Sequence, residues 1–176
     1  MKTLLLLLLT TITFAQECSV MFTTQMDARN AIIGSEPTNN NPELDLTFGV
    51  ALKTGNGGLQ IGINYQTFKA IDYTDIEAEV GYILKYREKW LITPQTSLKL
   101  IMRSGDKVER EINNQEFGGY KASLNVKYKI VDGFYIGADG GGTFRGDKFE
   151  LSKGKDFWGS FVFDGGIEFV YEIEFE

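Results

Sequence analysis

Residues 120–130 read Tyr-Lys-Ala-Ser-Leu-Asn-Val-Lys-Tyr-Lys-Ile, and this stretch decides the fold class. Every even position from Tyr120 to Ile130 is apolar, and every odd position is polar. Successive side chains of a β-strand point to opposite faces, so a period of two predicts a strand with one apolar and one polar face.

The same alternation continues through most of the chain on both sides of this stretch. Pro94 interrupts one segment, and we expect a bulge or a late strand start there because proline cannot donate to a ladder. No stretch of comparable length has a helical period, so the sequence predicts an all-β protein. The alternating segments are 43–53, 59–67, 75–86, 90–102 and 134–151.

The final segment, residues 157–175, keeps one phase throughout. Asp164-Gly165-Gly166 suits a hairpin turn, but the alternation passes through it without a slip, which favours one long strand. Residues 144–151 and 156–163 flank a turn-like sequence and predict a hairpin that protrudes beyond the sheet. The edge of such a hairpin could pair with strands of a partner.

Composition excludes several functional classes. The chain of 176 residues suits one domain. It has no histidine, which removes the commonest general base and the commonest metal ligand, and its single cysteine removes an intrachain disulfide framework. The net charge of −6 argues against a nucleic-acid partner. We therefore predict no catalytic residues, no metal site and no cofactor.

Residues 1–15 predict a cleaved signal peptide, which would leave residues 16–176 as the mature domain. Lys2 precedes an apolar run from Leu4 to Leu9 that is too short to cross a bilayer as a helix. Lipid attachment to Cys18 is an alternative, but Glu17 stands where that chemistry wants a small residue.

Alternation alone does not tell whether the apolar face lines a core or contacts lipid. Three further features favour lipid contact: aromatic residues gather at the ends of the predicted strands, glycine lies mainly on the polar face, and the chain is exported. The predicted aromatic girdle consists of Tyr65, Tyr86, Trp90, Tyr120, Tyr128, Phe134, Phe144, Phe161, Tyr171 and Phe175.

The lengths of the connections predict the topology. If a first strand occupies about residues 18–26, the chain has eight strands, and both termini lie at the same end as three short turns, near 54–58, 87–89 and 131–133. Longer connections lie at the other end, near 27–42, 70–74, 103–117 and 146–155. The predicted fold is an eight-stranded antiparallel transmembrane β-barrel with short periplasmic turns and longer extracellular loops.

On this pattern, the mature chain resembles the small outer-membrane β-barrels of Gram-negative bacteria of the OmpX and OmpW kind. The signal ending Phe14-Ala15-Gln16 looks like that of a Bacteroidota member. The alternation of the last strand is similar to the signal that the barrel-assembly machinery recognises, although the chain ends Phe175-Glu176 instead of on the aromatic residue. The resemblance implies an outer-membrane location, with membrane lipid and the assembly machinery as partners.

An inward polar face would place many charges in the barrel lumen. Glu77 and Glu79 are spaced like paired carboxylates for acid–base chemistry, but a salt-bridge network that fills the interior is the favoured interpretation. The charge-rich segment 103–117 is predicted to be a solvated loop, with contact to a ligand or partner as the alternative. The predicted lumen charges are Asp45, Glu77, Glu79, Lys85, Lys99, Lys121, Lys127, Asp139, Arg145, Glu168 and Glu172.

The leading functional hypothesis is a non-enzymatic outer-membrane barrel with a structural role or a role in surface interaction through its extracellular loops. One alternative is a narrow conduit for small or apolar molecules. A second alternative is a soluble periplasmic barrel, like a lipocalin, that binds an apolar ligand inside.

Overall fold

The computed structural model of the protein describes residues 18–27, 46–54, 58–68, 72–86, 88–106 and 108–175. The predicted signal peptide and Asp45 lie outside the described residues. The described strands are β1 (Cys18–Asp27), β2 (Leu46–Thr54), β3 (Leu59–Phe68), β4 (Tyr73–Tyr82), β5 (Leu84–Tyr86), β6 (Trp90–Arg103), β7 (Gln115–Val131), β8 (Phe134–Arg145) and β9 (Phe161–Phe175). Between β8 and β9 lie the helix α1 (Gly146–Leu151) and a 3-10 turn (Trp158–Ser160).

The sheet closes on itself. Apart from β4 and β5, which both pair with β6, each strand pairs antiparallel with its neighbours along the chain. β1 pairs with β9 from Cys18 opposite Phe175 to Asp27 opposite Gly166. β4 and β5 share one register against β6, so together they form one barrel strand. The fold is therefore a closed eight-stranded antiparallel β-barrel, as the alternation predicts.

Two predictions about the terminal strands are confirmed. The irregular segment after Cys18 forms β1, and the last segment forms one strand of 15 residues. Asp164, Gly165 and Gly166 lie inside that strand and pair with residues 139–141 of β8, so they form no turn. The strand begins at Phe161, four residues later than the alternation suggests.

The prediction of a bulge or late start at Pro94 is wrong. β6 runs from Trp90 to Arg103, and its register against β7 is unbroken. The side chain of Pro94 points out of the barrel. Pro94 lies opposite Tyr82, the last residue of β4, if the register between β4 and β6 is continued. Because proline has no N–H to donate, the ladder is interrupted on the β4 side and β6 itself keeps its register.

The prediction of a protruding hairpin over residues 144–163 is also wrong. The chain leaves β8 at Arg145 and turns into α1, which ends where Gly154 takes a positive φ of 70° and its N–H donates to Phe149 O at 3.0 Å. In α1 the side chain of Asp147 points into the barrel, where it contacts Arg145 of β8 and Arg103 of β6. Arg103 lies 44 residues earlier in the chain, so the local alternation could not indicate this contact.

The two ends of the barrel differ. The turn end holds Cys18, Phe175 and the described connection 132–133. The loop end holds Asp27, Leu46 and the described connections 104–106, 108–114 and 146–160, while the predicted loop 27–42 lies, beyond Asp27, outside the described residues. The connection after β3 is only four residues long, shorter than predicted, because β3 and β4 extend to Phe68 and Tyr73.

The outer wall is apolar on every barrel strand. Its residues include Phe22, Val50, Ile63, Ile76, Leu98, Leu124, Ile136 and Phe169, each at least 36% exposed. In the part of the chain that the structure describes, no helix has the length and hydropathy to span a membrane.

Candidate functional site

The barrel interior is the candidate functional site because the alternation directs the charged side chains there. Of the eleven predicted lumen charges, nine are buried inside the barrel, Lys85 is exposed at the turn end, and Asp45 is outside the described residues. The nine buried residues are Glu77, Glu79, Lys99, Lys121, Lys127, Asp139, Arg145, Glu168 and Glu172.

Glu172 of β9 is the hub of the polar contacts near the turn end. Its Oε1 lies 2.5 Å from Lys53 Nζ and accepts a hydrogen bond from Ser19 Oγ. Its other oxygen, Oε2, accepts a hydrogen bond from Tyr135 Oη at 2.8 Å. One carboxylate thus joins β1, β2, β8 and β9.

Amides bind the carboxylates at mid-height. Glu79 accepts hydrogen bonds from Gln60 Nε2 and Asn64 Nδ2, both at 2.9 Å. Glu168 accepts one from Asn125 Nδ2 at 2.7 Å, and Lys127 Nζ lies 3.8 Å from the same carboxylate. These contacts fix the side chains that fill the middle of the lumen.

Lysines bind the carboxylates closer to the loop end. Lys99 Nζ lies 3.1 Å from Asp75 and 3.3 Å from Glu77, which also accepts a hydrogen bond from Ser97 Oγ. Lys121 Nζ lies 2.9 Å from Asp139. Glu77 and Glu79 therefore bind different partners.

Beside β6 and β8, the loop end is filled by a contact that the sequence pattern did not predict. Asp147 of α1 is almost fully buried, and its carboxylate lies 2.5 Å from Arg145 Nη2 and 3.4 Å from Arg103 Nη1. The guanidinium of Arg145 lies 4.7 Å from the ring centre of Tyr73, and Tyr73 donates to Asp75 at 2.7 Å. Arg103 lies on the inward face of β6, so the alternation could have identified it as a lumen residue. Asp147 lies in a segment whose alternation predicts a strand, so no sequence signal indicated its position in a helix.

The turn end is closed by apolar side chains, which were also missed. Six of them occupy positions of the inward face and pack together. The signal was present in the sequence, because Ile83 and Val170 are apolar residues in the polar phase of their strands. The cluster consists of Met21, Ala51, Ile83, Leu91, Tyr135 and Val170.

A small polar cavity lies in the lumen and reaches Asp27 and Thr47 at the loop-end rim of β1 and β2. Its volume is about 30 Å³, which is large enough to hold water. Gln60, Gln95 and Asn125 line it, and the side-chain oxygen of each is buried without a partner among the described residues. The interior can hold water there, and a second cavity of about 40 Å³ lies at the turn end beside Lys53, Leu91 and Tyr135.

The predicted girdle residues whose side chains are described lie on the outer wall. Trp90, Tyr128, Phe134, Tyr171 and Phe175 lie towards the turn end, with the rings of Trp90 and Tyr128 4.9 Å apart. Tyr65, Tyr120, Phe144 and Phe161 lie towards the loop end. For Tyr86 only the backbone is described, and it pairs with Trp90.

The segment 104–114 is a folded loop instead of a fully solvated one. Ile112 is fully buried, and Val108 is 8% exposed. Asn113 closes the loop by accepting from Gly105 N at 3.2 Å and donating to Gly105 O at 3.0 Å. The described part of this segment therefore buries two apolar side chains and is not solvated throughout.

Comparison with known proteins shows the fold. No family model and no curated protein matches the chain. The chain is similar to the crystal structure of Neisserial surface protein A (TM-score 0.50, 10% identity, 90% of this chain and 95% of that chain). It is also similar to a chain from the de novo design of transmembrane β-barrels (TM-score 0.48, 11% identity, 89% and 95%). The chain therefore has the eight-stranded barrel fold that is found in outer-membrane β-barrel proteins.

Proposed function

We propose that this protein is an integral outer-membrane β-barrel with a closed lumen and a non-enzymatic role in the structure or the surface interactions of the envelope. One observation carries the proposal: the barrel is polar inside and apolar outside. Buried ion pairs fill the lumen, while residues such as Ile63 and Leu98 are 63% and 69% exposed on the wall. Such a wall would be a severe aggregation liability in water, but it matches the hydrocarbon core of a bilayer.

The strand lengths support a membrane-spanning barrel. A tilted transmembrane strand needs about 9–11 residues. β1 and β3 have 10 residues each and β2 has nine, while β6 to β9 have 12 to 17 residues and are long enough to extend beyond the bilayer. A signal peptide at residues 1–15, an origin in Bacteroidota and kinship with the OmpX and OmpW families belong to the same proposal.

The closed interior favours a structural role over transport. Asp147 with its two arginines fills the loop end, and Ile83 and its neighbours fill the turn end. The two cavities of the described residues have volumes of only about 30 and 40 Å³, which suit water and not a larger solute. A lipocalin-like protein would need an apolar lining instead, and the described lining is mainly polar.

Fractionation tests the location. We expect the protein in the detergent-extracted outer-membrane fraction, and we expect unheated and boiled samples to migrate differently on a gel. Recovery from the periplasm in soluble form without detergent would contradict the proposal.

Planar-bilayer recording tests the closed lumen. We expect no steady conductance from the wild-type chain in membranes into which insertion has been verified by protease protection. Stable single-channel steps from the wild type would favour the conduit instead.

A further inference from the structure

An aromatic cluster lies on the outside of the barrel at its loop end. Phe144 and Phe161 pair across β8 and β9, and their ring centres are 5.4 Å apart. Phe157 lies 5.4 Å from each of them, Phe149 lies 5.9 Å from Phe144, and Trp158 lies 5.9 Å from Phe161. These five residues, Phe144, Phe149, Phe157, Trp158 and Phe161, form the aromatic cluster.

The closure of the barrel directs this cluster outward. Asp147 points into the lumen, where Arg103 and Arg145 hold it. Residues two apart on a helix point in nearly opposite directions, because each residue turns the helix by about 100°. Phe149 therefore faces away from the lumen, towards Phe144 on the outer wall.

The turn that carries Trp158 is held by its own hydrogen bonds. Gly159 N donates to Asp156 Oδ1 at 2.7 Å, and the buried Ser160 Oγ donates to Asp156 O at 2.8 Å. A Cβ at Gly159 would collide with the Asp156 carboxylate. The indole is thus presented on a defined turn of the loop.

The cluster is exposed and continuous with the apolar wall. Trp158 is 80% exposed and Phe157 49%, although both are large apolar residues. Phe163, which is 83% exposed, follows Phe161 on the outer face of β9 and extends the same surface towards mid-height. Exposed lysines at 153 and 155 flank the cluster in the same loop.

We infer that the aromatic cluster binds the anionic lipid of the bilayer that surrounds the barrel, with Trp158 at headgroup level and Lys153 and Lys155 at the lipid phosphates. The inference rests on the proposed membrane location and adds a lipid-binding surface to it. Aromatic rings favour the boundary between acyl chains and headgroups, and lysines extend from that boundary to the anionic groups. The segment 146–160 would then lie on the membrane surface instead of projecting from it.

Lipid-attached quenchers test the inference because the chain has two tryptophans, Trp90 and Trp158. The variant W90F leaves Trp158 as the reporter, and W158F leaves Trp90 at the turn end of the wall as the matched control. Both would be refolded into phosphatidylcholine–phosphatidylglycerol vesicles whose acyl chains are brominated near the glycerol. We expect the emission of both reporters to fall about twofold, and we expect iodide in the buffer to quench Trp158 weakly.

The outcomes separate the inference from the proposed function. If bromine quenches Trp90 while Trp158 responds only to iodide, the barrel is in the membrane and the inference is wrong. If bromine quenches neither tryptophan, the proposed membrane location is wrong as well. If Trp158 is shielded from both quenchers and cross-linking gives dimers, a second copy covers the cluster and the inference is wrong.

Lipid charge tests the lysine part. In vesicles without phosphatidylglycerol we expect weaker bromine quenching of Trp158, and we expect the double variant K153Q/K155Q to remove the difference between the two vesicle types. If bromine quenches Trp158 equally in both vesicle types while Lys153 and Lys155 are present, these lysines do not bind the phosphates.

Discussion

Arg145 and Asp147 lie two residues apart, yet Arg145 ends strand β8 while Asp147 lies in α1, and their side chains meet at 2.5 Å inside the loop end of the barrel. Arg103 of β6 binds the same carboxylate. This pair therefore closes the lumen and also sets the direction in which the following loop leaves the barrel.

The first prediction concerns this closure. Asp147→Asn removes the negative charge that two buried guanidiniums share, so we expect it to lower the free energy of unfolding by about 3 kcal/mol. Glu150→Gln is the control, because Glu150 is exposed on the same helix and should change stability little. Denaturant unfolding of the barrel in detergent micelles measures both, and an equal effect of the two variants would contradict the proposed role of Asp147.

The hub at the turn end gives a second prediction. Glu172→Gln leaves Lys53 buried without its anion and should destabilise the barrel by about 3–5 kcal/mol. Adding Lys53→Met should restore part of the loss, since a buried pair that is removed as a whole costs less than a broken pair. Glu174→Gln, at the exposed rim of the same strand, is the control. Additive effects of the two substitutions at 53 and 172 would show that the contact does not couple them.

The orientation of the wall can be tested with an introduced charge. Val126→Arg would place a guanidinium near the middle of the lipid-facing side of β7, and we expect a loss of about 2–4 kcal/mol in lipid vesicles. Ile130→Arg lies on the same face four residues closer to the turn end and should cost about 0–1 kcal/mol. Tolerance of Val126→Arg, together with a large loss on replacing Asn125 by leucine, would mean that the faces are reversed.

Adjacent glycines in β8 provide a matched pair for packing. A Cβ at Gly141 would lie 2.5 Å from Ser123 Cβ and closer still to the backbone oxygen of Ala122. A Cβ at Gly140 would contact nothing within 4 Å. We therefore expect Gly141→Ala to destabilise the barrel by about 1–3 kcal/mol and Gly140→Ala to leave its stability nearly unchanged. Thermal melting in micelles compares them, and a larger loss at Gly140 would contradict this packing.

The turn between β7 and β8 gives a prediction for pH. The hydrogen bond from Lys129 lowers the pKa of the exposed Asp132 carboxyl below its usual value. Its small contribution to stability is present at neutral pH and is lost as the pH falls through this lowered pKa. An NMR titration should give a midpoint for Asp132 below that of a free aspartate, and Lys129→Met should return it to the ordinary range. A midpoint that does not move in Lys129→Met would exclude this pair as the cause.

The alternation was sufficient to predict the strands and their faces because it is a local property of an extended chain. It assigned Lys121 and Asn125 to the interior and Leu124 to the wall from residues within one strand. It also found β1, where the pattern is weak, because a strand there places the short turns at the end with both termini and the longer loops at the other end.

The sequence pattern could not predict which of the buried charged side chains contact each other. Glu172 meets Lys53 across 119 positions, and only the registers of the strands between them decide that contact. The same holds for α1, since the alternation around Phe144 is typical of a strand, whereas a buried charge pair with Arg103 selects a helix. Ile83 shows the opposite case, in which an apolar residue in the polar phase was a readable sign of the closed turn end.

The position of Glu172 has a consequence for biogenesis. The acceptor that satisfies Ser19, Lys53 and Tyr135 is supplied by β9, the last of the described strands, and two of its donors come from the first two. A chain that lacks this strand leaves a lysine and a tyrosine facing an unsealed lumen and cannot join its first strand to its last. Closure of the sheet and satisfaction of its buried polar groups are therefore coupled, because the same strand supplies both the backbone partner of β1 and the acceptor of Lys53.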